Sequence, residues 1–194
     1  MNWNIRTVVS LAILLFLAGF QSYAAELKIA VIDMDKVFQN YVRTKTVDAT
    51  LKQQSEVYRS WIQKLNESML KLEEQFKILR NDSQNIALSE TDRETKRFEA
   101  QKKYREFQEK KLELEQYSQE KSLQLKELET KKREEILKEI NQEVKRRATL
   151  DGYSLVLDAS GKTLNAIPTI IYFQSSMDIT ETVLRDLNRG AAGK

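Results

Sequence analysis

Between Gly19 and Gly152 the chain carries neither glycine nor proline. A compact domain changes direction about every dozen residues, and its turns draw on those two residue types. An interval this long without them leaves two choices, extended helix or disorder. Glu, Lys, Gln and Leu dominate it, which is the composition of a long helix or coiled coil. Apolar residues also return at regular steps, which a disordered charged segment has no reason to show.

The first part of the interval has a clear seam. Leu51, Tyr58, Ile62, Leu65, Met69, Leu72, Phe76 and Leu79 are apolar, and from Tyr58 the steps are 4, 3, 4, 3, 4 and 3. Such a heptad row keeps apolar side chains facing a partner helix. A helix is expected to begin behind Asp33 or Asp35, either of which can cap it. It should run to about Arg80, roughly 65–70 Å at ~1.5 Å per residue. The polar run from Asn81 to Asn85 then competes with helix by bonding to local backbone. Ser89, with Asp92 three residues on, resembles a capping box that restarts it. A second helix follows from about Glu90 to Leu150, closed by Asp151-Gly152 with glycine suited to the left-handed position past the end. Its seam of Phe98, Tyr104, Phe107, Leu114, Tyr117, Leu125, Leu128, Ile136, Ile140 and Val144 is poorer. Lys111, Lys121 and Lys132 fall near places that want aliphatic side chains.

The ends read differently. Leu27–Ile32 (LKIAVI) is a short strand, and Tyr153–Leu157 is another. Ala166–Phe173, interrupted by Pro168, is a further β-rich run, with Ile170 to Phe173 expected to form a strand. Asp178 is expected to cap a short amphipathic helix through Leu187. Strands so few and short bury little core, so the base should need partner chains. The fold class is therefore α+β and predominantly α: a long antiparallel helical hairpin on a small β-structured oligomerisation body formed from both chain ends. Residues 25–34 and 151–188 make the body, 35–150 the hairpin with its tip near 81–89, and 189–194 a flexible tail. Ile29, Val31, Leu155, Leu157, Ile170 and Tyr172 are the candidate body core.

Residues 1–24 have the three-part pattern of a secretory signal: Arg6, an apolar run over Val8–Phe20, then Ser22 and Ala24 at the −3 and −1 positions. Cleavage is expected between Ala24 and Ala25. The run is short for a ~30 Å hydrocarbon core, so the mature chain is expected to be exported and soluble. With no cysteine and no histidine, disulfides, thiol nucleophiles, imidazole bases and nearly all transition-metal sites are excluded. No catalytic, metal or cofactor-binding residue is nominated, and no enzyme is expected. A net charge of +3 from 32 basic and 29 acidic residues is too even for a nucleic-acid binder.

Three segments carry a family resemblance. Leu27–Tyr41 (LKIAVIDMDKVFQNY), Tyr153–Gly161 (YSLVLDASG) and Met177–Asn188 (MDITETVLRDLN) resemble the opening strand and helix, the strand after the hairpin, and the closing helix of the Skp (OmpH-like) family of periplasmic chaperones. The resemblance implies a periplasmic homotrimer whose helical arms hold unfolded outer-membrane β-barrel proteins without ATP. Two departures stand out. Asn165–Ser176 is a longer and more apolar insert. Charge over Arg43–Leu150 is nearly balanced, at 25 basic and 21 acidic residues.

The basic excess is local. Arg93, Lys96, Arg97, Lys102, Lys103 and Arg105 interleave with Phe98, Tyr104 and Phe107 just past the tip. These nine residues are the candidate contact with client protein, or with anionic lipid or lipopolysaccharide headgroups. A solvated helix face with i,i+4 ion pairs is the plainer reading. Two other functions use a helical hairpin, an envelope scaffold and an export-pump adaptor. The first predicts a seam closed along its full length. The second needs larger glycine-rich β domains, for which this chain has too few residues outside the hairpin.

Overall fold

A computed structural model describes residues 27–191. The expected signal segment, its Ala24–Ala25 cleavage point and the end of the tail lie outside the described residues. Strand β1 (Ile29–Ile32) leads into helix α1 (Met34–Asn40) and then α2 (Val42–Asp82). A turn precedes the long helix α3 (Glu90–Asp151). Strand β2 (Leu155–Asp158), a single 3₁₀ turn (Ser175–Met177) and helix α4 (Thr180–Ala191) complete the chain. α2 and α3 pack antiparallel as one hairpin.

Local chemistry sets most boundaries. Asp33 Oδ1 accepts the Lys36 N–H at 2.8 Å and caps α1. Ser89 Oγ accepts the Asp92 N–H at 3.1 Å, so the α3 start is capped as its sequence suggests. Gly152 at φ 69° takes the left-handed position past α3, where a side chain would be strained.

The continuous helix expected from Asp33 to Arg80 is broken at Tyr41, whose ψ of 126° is extended. Two distant groups make the break favourable. The Asn188 side chain, from α4, accepts the Val42 N–H at 2.9 Å and caps α2 in place of a local residue. The Tyr41 ring is buried, and its hydroxyl donates to Glu139 at 3.2 Å. The break also explains Thr44, a buried hydroxyl without a partner. Thr46 and Thr50 bond back to carbonyls four residues earlier. The equivalent carbonyl for Thr44 belongs to Asn40, on the far side of the break.

β1 and β2 pair in parallel with Ile29 opposite Leu155 and Val31 opposite Leu157. Met34 N–H donates to Asp158 at 3.2 Å and Asp33 N–H to the Thr180 hydroxyl at 2.9 Å, tying both chain ends to one point. Below the sheet lies the core: Ala30, Ile32, Val37, Tyr41, Ile136, Ile140, Ile179, Val183 and Leu187. The α1, α3 and α4 faces meet there, and Arg133 stacks on Phe38 at 4.6 Å.

Two expectations fail at the C-terminal side. No strand forms over Ile170 to Phe173. The edge of β1 opposite β2 is taken by a bridge from Val31 to Asp178, and residues 170–173 do not reach the outer edge of β2 either. Residues 161–169 form a tight hairpin instead. Thr169 N–H donates to the Gly161 carbonyl and Thr163 N–H to the Ile167 carbonyl, both at 2.8 Å. Ala166 sits at φ 60° in its tip. The closing helix also continues past Leu187 to Ala191.

Ile140 is fully buried where α3 enters the core. Ile140→Ala should cost about 2–5 kcal/mol. Leu112→Ala, at an exposed position of the arm, should change stability by less than about 0.5 kcal/mol. Urea unfolding at fixed protein concentration checks both values.

Candidate functional site

The strand register sorts the body residues. Ala30, Ile32 and Val156 face the core, while Ile29, Val31, Leu155 and Leu157 share the opposite side of the sheet. Val31 is buried there. Ile29 is half-buried, and Leu155 and Leu157 remain 44% and 37% exposed. The outer edge of β2 pairs with no other strand among the described residues. Ile170 is half-buried and Tyr172 is 82% exposed, and no strand pairing brings either into this sheet. The base thus presents a small apolar face beside an open strand edge.

The arm is paired from base to tip but packed loosely. Between Lys45 and Glu135 only Leu65 and Ala100 are buried among apolar residues. The α3 side explains why. Its half-buried row contains Lys96, Lys103 and Lys110 at seven-residue spacing, and then Lys121 and Lys132. Lys111, expected to interrupt this row, is exposed on its flank. Four of the row lysines pair with a glutamate three residues on: Glu99 at 3.2 Å, Glu106 at 2.6 Å, Glu113 at 2.5 Å and Glu135 at 2.8 Å. Their aliphatic stems cover the partner helix while the ammonium groups return to the rim. The Lys-x-x-Glu repeat is visible in the sequence, and it marks a helix face filled by stems rather than by aliphatic knobs.

Two aromatic clusters punctuate the arm. Midway, Tyr117 meets Tyr58 edge-on and Trp61 at a tilt, each at 6.4 Å between centroids, with the Lys121 ammonium 5.4 Å above the Tyr117 ring. Nearer the tip, Phe76 and Tyr104 stand 5.1 Å apart and Phe107 adjoins Tyr104 at 6.4 Å. A groove of about 470 Å³ opens beside Phe76 and Tyr104, with Arg80, Arg97 and Arg105 on its walls. Sequence reading on one helix could not find Phe76 or Arg80, because both come from across the hairpin.

The nine residues expected as a contact patch divide accordingly. Arg93, Lys96 and Lys103 turn toward α2 or onto glutamates, Arg93 pairing with Glu90. Phe107 is half-buried. Arg97, Phe98, Lys102 and Arg105 face outward, with Phe98 65% exposed, while Tyr104 packs on Phe76 of α2 and stays partly exposed. Among the described residues no cluster of acidic side chains could hold a metal ion. No described helix is long and apolar enough to cross a membrane.

The model of the family described as "Outer membrane protein (OmpH-like)" matches residues 28–187. No curated protein matches the chain.

The lysine row couples the arm to pH. Hydrogen bonding to Lys103 holds Glu106 below its ordinary pKa, and Lys132 does the same for Glu135. A carboxylate lowered in the folded state adds stability above its unfolded pKa of about 4.3, and that stability is lost as pH falls through the folded value. Lys103→Gln should therefore lower the thermal midpoint slightly near neutral pH and leave it unchanged near pH 2. Thermal scans by circular dichroism across that range test this, and an equal loss at both ends would refute it.

Proposed function

The chain belongs to the OmpH-like outer membrane protein family, and on that premise we propose that it is an ATP-independent holdase for unfolded outer-membrane β-barrel proteins. At the level of its family it is an outer-membrane-protein chaperone. The finer reading is a periplasmic homotrimer, exported by a cleaved signal, whose arms enclose the client. Unfolded barrel proteins expose alternating apolar residues and unpaired strand edges, which aggregate readily. Many weak contacts spread along several arms retain such a chain and release it without fuel.

One observation carries the reading: the arm's seam is half-open. A scaffold gains from a closed seam. This arm instead leaves Trp61, Phe98 and Tyr104 substantially exposed beside basic side chains. Arg97, Phe98, Lys102, Tyr104 and Arg105 are the proposed client contacts, and anionic lipid or lipopolysaccharide is a further proposed partner of the same cations. The apolar face of Ile29, Leu155 and Leu157, with the open β2 edge, is where copies would join; Ile170 and Tyr172 are proposed to complete that core.

A denatured porin diluted into buffer should remain dispersed in the presence of the mature protein, and light scattering should size the chaperone as a trimer. A monomer without effect on aggregation would remove the reading. Leu155→Asp with Leu157→Asp should shift the trimer toward monomer, seen by the same sizing. Reversing Arg97, Lys102 and Arg105 to Glu should weaken porin capture about tenfold or more at low salt, with the loss reduced at high salt.

A further inference from the structure

We propose that the groove beside Phe76 and Tyr104 recognises a sequence pattern in its clients: an aromatic side chain with carboxylates two residues before and two residues after it. This rests on the holdase reading. It starts from a contrast in charge pairing. Arg93, Lys96, Lys103 and Lys110 each engage a glutamate of their own helix. Arg80, Arg97 and Arg105 line the groove, are exposed, and form no ion pair among the described residues. Three unengaged guanidinium groups around an aromatic floor form a site for an anion attached to an apolar body. Guanidinium is suited to it, since its planar fork holds carboxylates bidentately and stacks on rings. The groove's volume of about 470 Å³ falls within the range of pre-formed sites for small ligands.

The spacing selects an extended polypeptide. Arg97 and Arg105 are eight residues apart on α3, which places them about 12 Å apart along the axis. In an extended chain, residues i−2, i and i+2 point to one side, and i−2 lies about 13 Å from i+2. Carboxylates at i−2 and i+2 thus reach the two arginines while the side chain at i enters between them, against Phe76 and Tyr104. Arg80 closes the groove from the opposite helix. Acidic residues at i±1 would point away from the arm.

The test uses short fluorescent peptides of alternating sequence with Phe at the centre. One carries Glu at i±2, a second Gln at i±2, and a third moves the Glu pair to i±1. Anisotropy at low salt should show the first binding about tenfold more tightly than either other peptide. Arg97→Gln with Arg105→Gln should erase that preference, while circular dichroism shows the helix content unchanged. Equal binding of the three peptides, or a preference that survives in the double variant, overturns the proposal. So does binding of phosphatidylglycerol vesicles through these arginines with no peptide preference, which would make the groove a lipid site. Porin aggregation is measured on the same wild-type sample. If wild type fails to suppress it, the holdase reading falls; if wild type suppresses it without peptide preference, only the recognition pattern falls.

Discussion

The parallel pairing of β1 with β2 is the constraint on which everything else rests. Ile29 and Leu155 are partners at a sequence separation of 126. Parallel strands cannot be joined by a tight turn and need a crossover; here the whole helical hairpin is the crossover. Closing a flexible loop of that length costs about 4 kcal/mol in chain entropy, and four residue pairs repay little of it alone. The hairpin lowers the cost by returning the chain, and the core beneath the sheet adds the gain. The same pairing creates the base's outward face, because the register that sends Ala30 and Ile32 inward sends Ile29 and Leu155 outward.

What could be read from sequence follows from the range of the forces involved. Ser89 and Gly152 act within a few residues, so the caps at both ends of α3 were legible. The heptad row from Tyr58 to Leu79 announced the hairpin. Family membership was legible from the three end segments. The break at Tyr41 was not, because its cap, Asn188, lies 146 positions away. A strand over Ile170 to Phe173 was expected from composition, but a strand needs a neighbour as well as β-branched residues: Asp178 takes the free side of β1, and the segment does not pair with the outer edge of β2. On the arm, the patch past the tip could be located by its charge. Which of its members face out required knowing that Lys96 and Lys103 lie in the row facing α2.

Two kinds of basic residue therefore share one helix. Lysines in the seam are spent internally: their stems replace aliphatic packing and their charges are met by glutamates. Arginines on the flank keep their hydrogen-bonding capacity. This division explains how an arm nearly balanced in total charge can still offer a concentrated positive surface near one end.

The unbroken helix α3 has a mechanical consequence. It runs for 62 residues from the tip into the core, while its companion is interrupted at Tyr41 just above the base. A rod clamped at one end and free at the other is a cantilever, and its end compliance grows with the cube of its length. Small elastic strain spread over many turns therefore becomes a wide excursion at the tip, while the clamped end stays still. Under the holdase reading proposed above, cargo of different girth would be accommodated by bending alone, without a dedicated joint and without disturbing the sheet that anchors the arm.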